Sequence, residues 1–182
     1  MNQPNNDLNE QARLAWKIIE TTNTNLFLTG KAGTGKTTFL RRLKNESSKR
    51  IVVVAPTGIA AINAEGVTIH SFFQLSFAPF IPNAQYKLKE QQYKFSRQKI
   101  RVIQSIDTLV IDEISMVRAD LLDAVDAVLR RFRKNQMPFG GVQMVMIGDL
   151  GQLAPVAKDD EWQMLSHYSS SPRLRFARRA MP

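Results

Sequence analysis

The chain has 182 residues, no cysteine and a formal net charge of +9. Without cysteine it has neither disulfides nor thiolate metal ligands, and its length, with 43% hydrophobic and 23% charged residues, predicts a single globular domain. The N-terminus lacks the basic start and apolar core of a signal peptide, and no apolar run reaches membrane-spanning length. We therefore expect a cytoplasmic protein of bacterial type with no membrane partner.

The basic residues are unevenly distributed along the chain. Residues 81–105 contain six basic residues and one acidic residue, whereas residues 106–171 contain six basic and ten acidic residues. The last eleven residues add four arginines and no acid. A basic cluster inside a domain supports contact with nucleic acid better than the total charge does, because much of the total comes from this tail.

The first predicted element is a helix over residues 7–21, for which Asp7 or Asn9 provides the N-cap. Gln11 within it carries an amide, which offers the donor and the acceptor that an adenine edge requires. The apolar residues at helical spacing predict a face that packs on the core: Leu8, Ala12, Ala15, Trp16 and Ile19.

A glycine-rich segment, GKAGTGKT, occupies residues 30–37 between an apolar strand at 26–28 and a helix from Thr37 to about Leu43. It fits the G-x-x-x-x-G-K-[ST] pattern of a nucleotide-binding P-loop, whose glycines let consecutive backbone N–H groups surround a polyphosphate. The following helix directs its positive end at the same phosphates, Lys36 adds a charge near the β and γ phosphates, and the Thr37 hydroxyl is a ligand for Mg²⁺. The predicted loop contacts to nucleotide are Gly30, Ala32, Gly33, Thr34, Gly35, Lys36, Thr37 and Thr38.

The middle of the chain contains a strand, a short helix and a segment of different character. Residues 51–55 form an uninterrupted apolar run typical of a strand buried on both faces, and residues 59–64 form a short helix that Gly66 ends. Residues 67–73 follow. Residues 77–99 contain two prolines, no glycine, scattered aromatics and several lysines, which predicts a surface insertion. This mixture suits base stacking and phosphate binding, and a solvated loop with anchoring aromatics explains it equally well.

The second half of the chain alternates strands and helices. A helix is predicted over 100–106, a strand over 108–113 that ends in two acids, an amphipathic helix over 119–133, and a strand over 143–148. Strands joined by helical crossovers predict an α/β fold with a mainly parallel sheet, helices on both faces and a small surface insertion. Because ligands bind at the carboxyl ends of such strands, we expect four segments to converge on one edge. These are Gly30–Thr37, Thr57, Asp112–Glu113 and Asp149–Gln152.

Two acidic residues and a glutamine in these segments suit phosphate chemistry. Asp112 would hold Mg²⁺ opposite Thr37, and Glu113 would orient the attacking water or accept its proton, as in a Walker B element. An Asp-Glu pair that ends a strand and caps the next helix is the structural alternative. The amide of Gln152 can hydrogen-bond a γ-phosphate oxygen and a water together, which suits a sensor of nucleotide state, whereas loop packing is the alternative.

Four blocks along the chain together resemble the motifs of one family. GKAGTGKT, APTGIAAINAEGVTIHSFF, VIDEISMV and GDLGQLAPV are similar in order and content to Pif-type (petite-integration-frequency) DNA helicases, in the RecD-like 5′-to-3′ branch of superfamily 1. The resemblance covers about residues 8–165 and implies a RecA-like P-loop NTPase fold. It implies that Gln11 contacts adenine and that residues 77–99 form a small wedge subdomain. It also implies catalytic roles for Lys36, Glu113 and Gln152, and contacts to single-stranded DNA for Pro56, Thr57, Gly58, His70, Ser71 and Phe72.

The resemblance implies an ATP-dependent DNA helicase of which this chain is the first motor domain, binding Mg-ATP and single-stranded DNA as a monomer. Coupled hydrolysis and unwinding would need a second RecA-like domain, in trans or otherwise, because that domain supplies the arginine that stabilises the transferring phosphoryl group. We assign residues 1–171 to the domain and expect residues 172–182 to be a disordered or non-native tail of a truncated or frame-shifted gene. Gly151 and Ala154 are smaller than the residues the family would have there.

Two other functions fit parts of the sequence. A non-catalytic fragment that binds nucleotide or DNA would act through a partner, and a second motor domain added in trans would distinguish it from an active motor. An oligomeric AAA-type ATPase would need its own late arginine, for which Arg178 or Arg179 is available.

Overall fold

The computed structural model describes residues 9–31, 33–81, 95–149 and 151–156, together with 158, 159, 161, 163 and 165. Within these residues the chain forms one five-stranded sheet in which every neighbouring pair is parallel. The spatial order of the strands is β1-β5-β4-β2-β3. In chain order they are β1 (Leu26–Thr29), β2 (Ile51–Ala55), β3 (Val67–Thr68), β4 (Thr108–Ile111) and β5 (Gln143–Gly148).

Helices connect and cover these strands. No helix among the described residues has the length and apolar character needed to cross a membrane. Two short 3₁₀ helices cover Ile114–Met116 and Pro138–Gly141. The α-helices are α1 (Glu10–Thr21), α2 (Lys36–Glu46), α3 (Gly58–Asn63), α4 (Ile69–Phe73), α5 (Arg97–Ser105) and α6 (Ala119–Arg133).

The first helix forms for the reasons its sequence indicates. Asn9 is its N-cap, and the Asn9 Oδ1 atom accepts a hydrogen bond from the Ala12 backbone N–H at 2.8 Å. Ala15 and Ile19 are buried, and Trp16 packs against them with its ring edge-on to Phe39 of α2. The predicted core-facing stripe is therefore confirmed for its described members. Asp7 and Leu8 lie outside the described residues.

The sheet is covered on both faces, as predicted. Side chains of successive strand residues point to opposite faces, and neighbours along β2 accordingly belong to different clusters: Val53 packs with α1 and α2, whereas Val54 packs with α4, α5 and α6. All four residues of β4 are buried, as expected for a central strand. Burial of both faces fixes the register of the strands, because a slip of one residue would exchange the two faces.

Several boundaries differ from those predicted. The strand expected over 108–113 ends at Ile111, so both acids lie in the turn that follows. Residues 67–73 divide into β3 and α4. The predicted insertion 77–99 is wrong at its C-terminal end, because Phe95 is buried in the core and α5 begins at Arg97. Residues 82–94 of the insertion lie outside the described residues.

The amino ends of the strands are joined by a buried polar network. The side chain of Gln143, which is buried, accepts hydrogen bonds from Lys49 Nζ at 2.9 Å and from the Thr108 hydroxyl at 3.0 Å. It also donates to the Thr24 carbonyl at 2.9 Å. A fully paired buried amide of this kind holds neighbouring elements in one arrangement. These polar groups at the amino ends of the strands therefore form hydrogen bonds with one another.

Candidate active site

The predicted convergence of four segments at one sheet edge is confirmed by the strand register. Thr29 at the end of β1 pairs with Gly148 at the end of β5, and Ile111 at the end of β4 pairs with Met146. Val54 near the end of β2 also pairs with Ile111. The glycine-rich loop, the Asp112–Glu113 turn, the Asp149–Gln152 turn and Thr57 therefore follow four adjacent strands at the same edge. This is the position at which parallel α/β sheets bind ligands.

The glycine-rich loop has the backbone of an anion-binding turn. Gly33 and Gly35 have φ of +80° and +85°, values that residues other than glycine adopt only at a cost in free energy. Gly35 is the N-cap of α2, and no side chain caps this helix, so its first-turn N–H groups face the loop. Such N–H groups and the helix dipole favour an anion. Ala32 lies outside the described residues.

Lys36 spans the same loop. Its ammonium donates hydrogen bonds to the carbonyl oxygens of Gly30 and, at 3.0 Å, of Lys31. The hydroxyl of Thr34 donates to the same Lys31 oxygen at 2.8 Å. The loop is therefore closed around the lysine, and phosphate oxygens could replace these carbonyl partners without a change of fold. Thr37 and Thr38 are exposed in the first turn of α2, where their hydroxyls are accessible.

Asp112 and Glu113 are partly buried, and the backbone of Glu113 is strained. Burial raises the pKa of Asp112, and the neighbouring Glu113 carboxylate adds to that rise, whereas the Glu113 N–H and the charge of Lys36 oppose it. The opposing effect of Lys36 places its ammonium within electrostatic reach of Asp112. Glu113 has φ of +51°, which is unfavourable for a residue other than glycine. Strain of this kind clusters at functional sites.

The turn that carries these acids packs tightly on β5 at Gly148. A Cβ atom at Gly148 would lie 2.8 Å from Ile114 Cγ2 and 3.1 Å from the Ile114 nitrogen. Only glycine therefore allows the 3₁₀ helix after Glu113 to approach β5 this closely. Sequence reasoning missed this role, because a strand pattern contains no signal for which residue another turn will touch.

Gln152 is held by its neighbour Asp149. The Asp149 carboxylate accepts hydrogen bonds from the Gly151 N–H at 3.0 Å and from the Gln152 side-chain amide at 3.3 Å. A backbone bond from the Gln152 N–H to the Asp149 carbonyl closes the turn at 3.0 Å. Gln152 is exposed beyond the end of β5. Its role as a γ-phosphate sensor stays a prediction, as does an adenine contact by Gln11, which is exposed on the first turn of α1.

The groups available for a metal ion are few. Among the described residues, no three His, Cys, Asp or Glu side chains are grouped so that they could hold a metal by themselves. Thr37 in the first turn of α2 and Asp112 directly after β4 supply one hydroxyl and one carboxylate. This set fits Mg²⁺ bound with a nucleotide, since Mg²⁺ in such sites takes one or two protein oxygens and completes its shell with phosphates and water.

The predicted DNA segments lie next to this edge. Ala55 at the end of β2 pairs with Thr68 at the end of β3, so α3 and α4 begin side by side. Thr57 caps α3 and Thr68 caps α4, each accepting an N–H hydrogen bond of 3.2 Å. Thr57, Gly58 and Ser71 are exposed, and Pro56 is half-buried. These four residues are therefore at least partly accessible near the starts of two helices that follow neighbouring strands.

Phe72 and His70 differ from this group. Phe72 is only 7% exposed, it packs edge-on to Phe73, and the Lys99 ammonium lies 3.3 Å from its ring centroid. The Phe72 side chain therefore belongs to the core, and its contact with DNA stays a prediction. His70 is half-buried and stacks on Phe77.

The family model described as "PIF1-like helicase" matches residues 7–171. The chain belongs to the PIF1-like helicase family. This membership excludes the alternative of an AAA-type ring ATPase, and it confirms the resemblance seen in the four sequence blocks.

Curated members of the family are ATP-dependent DNA helicases. The chain is 42% identical over 140 residues to the PIF1 helicase of Saccharomyces cerevisiae strain YJM789, covering 74% of this chain and 16% of that protein. It is 37% identical over 153 residues to human PIF1, covering 84% of this chain and 23% of that protein. The chain thus spans about a fifth of the length of such relatives.

Solved PIF1-like structures have the same fold. A crystal structure of Bacteroides Pif1 bound to single-stranded DNA matches with a TM-score of 0.80 and 48% identity, over 88% of this chain and 36% of that one. The same figures hold for Bacteroides Pif1 in complex with ADP-AlF4. The Candida albicans Pif1 structure matches with a TM-score of 0.68 and 34% identity, over 84% of this chain and 35% of that one. The RecA-like fold predicted from the sequence is therefore confirmed.

Proposed function

We propose that this chain is the first RecA-like motor domain of an ATP-dependent DNA helicase and that it binds Mg-ATP and single-stranded DNA as a monomer. The observation that carries this proposal is the meeting of the Lys36 loop, the Asp112–Glu113 turn and the Asp149–Gln152 turn at one sheet edge. Relatives that are nearly half identical bind ADP-AlF4 or single-stranded DNA in crystals. The end of the family match supports a domain boundary at residue 171.

Each group at the edge has a task that its position allows. The N–H groups of the loop and of the first turn of α2 bind phosphates, and Lys36 exchanges its carbonyl partners for phosphate oxygens. Thr37 and Asp112 hold Mg²⁺, which neutralises phosphate charge when it is bound with ATP. Glu113 orients a water or accepts its proton, Gln152 contacts the terminal phosphate, and Gln11 contacts adenine.

Replacement of Lys36 tests the nucleotide site. Lys36→Met removes the ammonium but keeps the length of the side chain, so we expect Mg-ATP affinity to fall roughly 10- to 100-fold, the range for loss of charge-assisted hydrogen bonds. Lys31→Met is the matched control, because Lys31 is an exposed lysine of the same loop. Titration with a fluorescent ATP analogue measures both. Equal affinity in Lys36→Met and the unaltered chain would refute the nucleotide site.

The DNA site lies on the surface formed by Pro56, Thr57, Gly58, His70 and Ser71. Hydroxyl and backbone N–H groups there suit phosphate oxygens, which predicts binding with little sequence preference. Cations of the chain add a salt-dependent attraction. The second RecA-like domain, in trans or on a longer chain, completes hydrolysis and coupling.

Gly58 offers a test of this surface that spares the fold. A Cβ atom at Gly58 would touch nothing within 4 Å, so Gly58→Ala leaves the protein intact, whereas it would obstruct a DNA backbone lying against the start of α3. We expect the affinity for a thymidine oligomer to fall about 5-fold or more, which is the cost of one weakened contact. Fluorescence anisotropy measures the affinity, and thermal unfolding checks the fold. An unchanged affinity would place the DNA elsewhere.

A further inference from the structure

An exposed phenylalanine stands at the DNA side of the domain. Phe77 is 80% exposed, although a side chain of this size is ordinarily buried. Its ring stacks on the His70 imidazole, with ring centroids 4.5 Å apart and an interplanar angle of 22°. One face of the Phe77 ring is thus supported by a second ring, and the rest is open to solvent.

The supporting ring is fixed in place by the core. His70 belongs to α4, in which Ile69, Phe72 and Phe73 are all buried. Burial lowers the pKa of His70, the nearby Arg118 lowers it further, and Asp120 opposes this, so the imidazole is neutral at pH 7. A neutral ring stacks as an aromatic group and does not act as a second cation. The stack orders the Phe77 ring before a ligand arrives, which lowers the entropy cost of binding.

The stack lies next to the predicted DNA surface. His70 follows β3 by two residues, Thr57 follows β2 by two residues, and the ends of these strands are paired at Ala55 and Thr68. The neighbouring aromatic ring, Phe72, is buried beneath the Lys99 ammonium, so it has no open face to offer. Phe77 therefore takes the place that the sequence motif suggests for Phe72.

We propose that the Phe77–His70 stack is a platform on which one unpaired base of single-stranded DNA stacks. This inference rests on the proposed DNA-binding function and adds to it a contact with a base face, whereas Thr57, Gly58 and Ser71 suit the sugar-phosphate backbone. Every base has an aromatic face, so the platform would accept any of the four bases. It also gives a DNA-binding role to Phe77, the aromatic residue with which the predicted insertion begins.

Substitutions of Phe77 separate stacking from simple apolar contact. Phe77→Ala and Phe77→Leu both remove the aromatic face, and Leu keeps most of the apolar area. We expect both variants to lose roughly 5- to 100-fold in affinity for a thymidine oligomer, the range measured for single stacked bases. The slope of affinity against salt concentration should not change, because no phosphate contact is removed. Fluorescence anisotropy at three salt concentrations measures both quantities.

The outcomes distinguish this inference from the function on which it rests. If the unaltered chain does not bind the oligomer, the proposed DNA binding fails and the platform fails with it. If the unaltered chain binds and Phe77→Ala stays within twofold of it, the platform alone is refuted. Wild-type affinity in Phe77→Leu would likewise refute stacking in favour of an apolar contact. An oligomer with abasic sites should bind the unaltered chain and Phe77→Ala equally.

A direct optical test uses tryptophan at the same position. In Phe77→Trp the indole should be quenched when the oligomer binds, because a base lies on its face. Met137→Trp is the matched control, since Met137 is also exposed but precedes β5 at the opposite edge of the sheet. We expect its emission to stay unchanged. Equal responses from the two variants would refute a base at Phe77.

Discussion

The positions of Asp112 and Glu113 reduce the stability of the folded protein. The carboxyl of Asp112 is partly buried, and burial raises its pKa, so its ionised form is disfavoured relative to the unfolded chain. Glu113 has a left-handed backbone conformation. Both features cost stability, and both position a carboxylate beside the Lys36 loop. Residues that reduce stability at a ligand-binding edge are expected when the ligand, rather than the fold, requires them.

The first prediction concerns Asp112. Asp112→Asn removes a partly buried charge and keeps an oxygen for the Glu113 N–H, which donates to Asp112 at 3.0 Å. We expect the free energy of unfolding at pH 7, without nucleotide, to rise by about 1 kcal/mol. The Mg²⁺ dependence of nucleotide affinity should disappear in the same variant, since the carboxylate proposed to hold the metal is gone. Urea unfolding and nucleotide titration with and without Mg²⁺ measure the two effects.

Asp159→Asn is the control for this prediction, because Asp159 is an exposed carboxylate beyond the site. Its free energy of unfolding should stay within about 0.5 kcal/mol of the unaltered chain. A less stable Asp112→Asn variant would mean that the carboxylate has a structural role, and retained Mg²⁺ dependence would remove Asp112 from the metal site.

Strands β2 and β4 are joined at their amino ends by one ion pair. The Arg50 guanidinium binds Asp107 through two hydrogen bonds of 2.8 and 2.7 Å, and the Arg50 backbone N–H donates to the same carboxylate at 2.9 Å. The Asp107 N–H in turn donates to the Arg50 carbonyl at 3.1 Å. These contacts set the register of the two strands and so align Thr57 and Asp112 at the other end.

The second prediction concerns the acid stability that this pair produces. The hydrogen bonds of Arg50 are the main reason why the pKa of Asp107 falls from 3.8 to about 2. Because the folded pKa is the lower one, the contribution to stability is present above pH 3.8 and is lost as the pH falls towards 2. The carboxylate is about one-third exposed, so solvent screening limits the contribution to about 1 kcal/mol.

Asp107→Asn measures this contribution. The variant should be less stable than the unaltered chain at pH 7, and the difference should shrink as urea unfolding is repeated from pH 5 down to pH 2. A difference that is constant over this range would mean that the amide disturbs packing and that the ion pair itself contributes nothing.

A hydrogen bond connects α2 to the turn that follows α3. The Lys44 ammonium in α2 donates to the Glu65 carbonyl at 2.6 Å, just after α3. Glu65 has φ of +50°, and a Cβ atom at the next residue, Gly66, would lie 2.5 Å from the Val53 oxygen. The turn after α3 is therefore tightly fixed between the phosphate-binding helix and β2.

Four large apolar side chains are exposed in the segments that follow β2 and β5. Ile59 and Ile62 lie on α3 after β2, and Leu153 and Val156 follow β5; each exposes more than 70% of its surface, at 76%, 77%, 72% and 86% respectively. Exposed apolar residues around a ligand edge are typical of a surface that another domain covers. The chain also spans only 36% of the Bacteroides Pif1 chain that it resembles. The exposed side chains are consistent with the proposed contact between this domain and a second one.

The third prediction tests the proposed need for a second domain. The purified chain should hydrolyse ATP slowly, and a second RecA-like domain of a Pif1-type helicase added in trans should raise turnover about 10-fold or more, because an arginine finger stabilises the transition state strongly. Phosphate release is measured with and without single-stranded DNA. Lys36→Met with the same added domain is the control and should show no increase. Equal turnover with and without the added domain would refute the need for it.

Much of the site could be predicted from local sequence patterns. The glycines of the loop, Lys36 and the acids at 112–113 follow apolar strands, and parallel strands place such residues at one edge whatever the detailed packing is. The bounds of α6 and β5 also agree with the prediction, since a strong apolar period depends on the segment alone. These features are local, and the sequence therefore specifies them.

The tertiary structure alone decided which aromatic ring is exposed beside the proposed DNA surface. Phe72 and Phe77 are the same residue type five positions apart, yet Phe72 is buried under Lys99 of α5, whereas Phe77 is exposed. Helix α5 packs on one face of the sheet, and the turn after β4 approaches Gly148 of β5 closely. Both contacts join segments that are far apart in the chain. Burial is a property of what packs on a residue. The sequence thus determines the PIF1-like fold and its glycine-rich loop, and only the packed layers determine which side chains remain exposed.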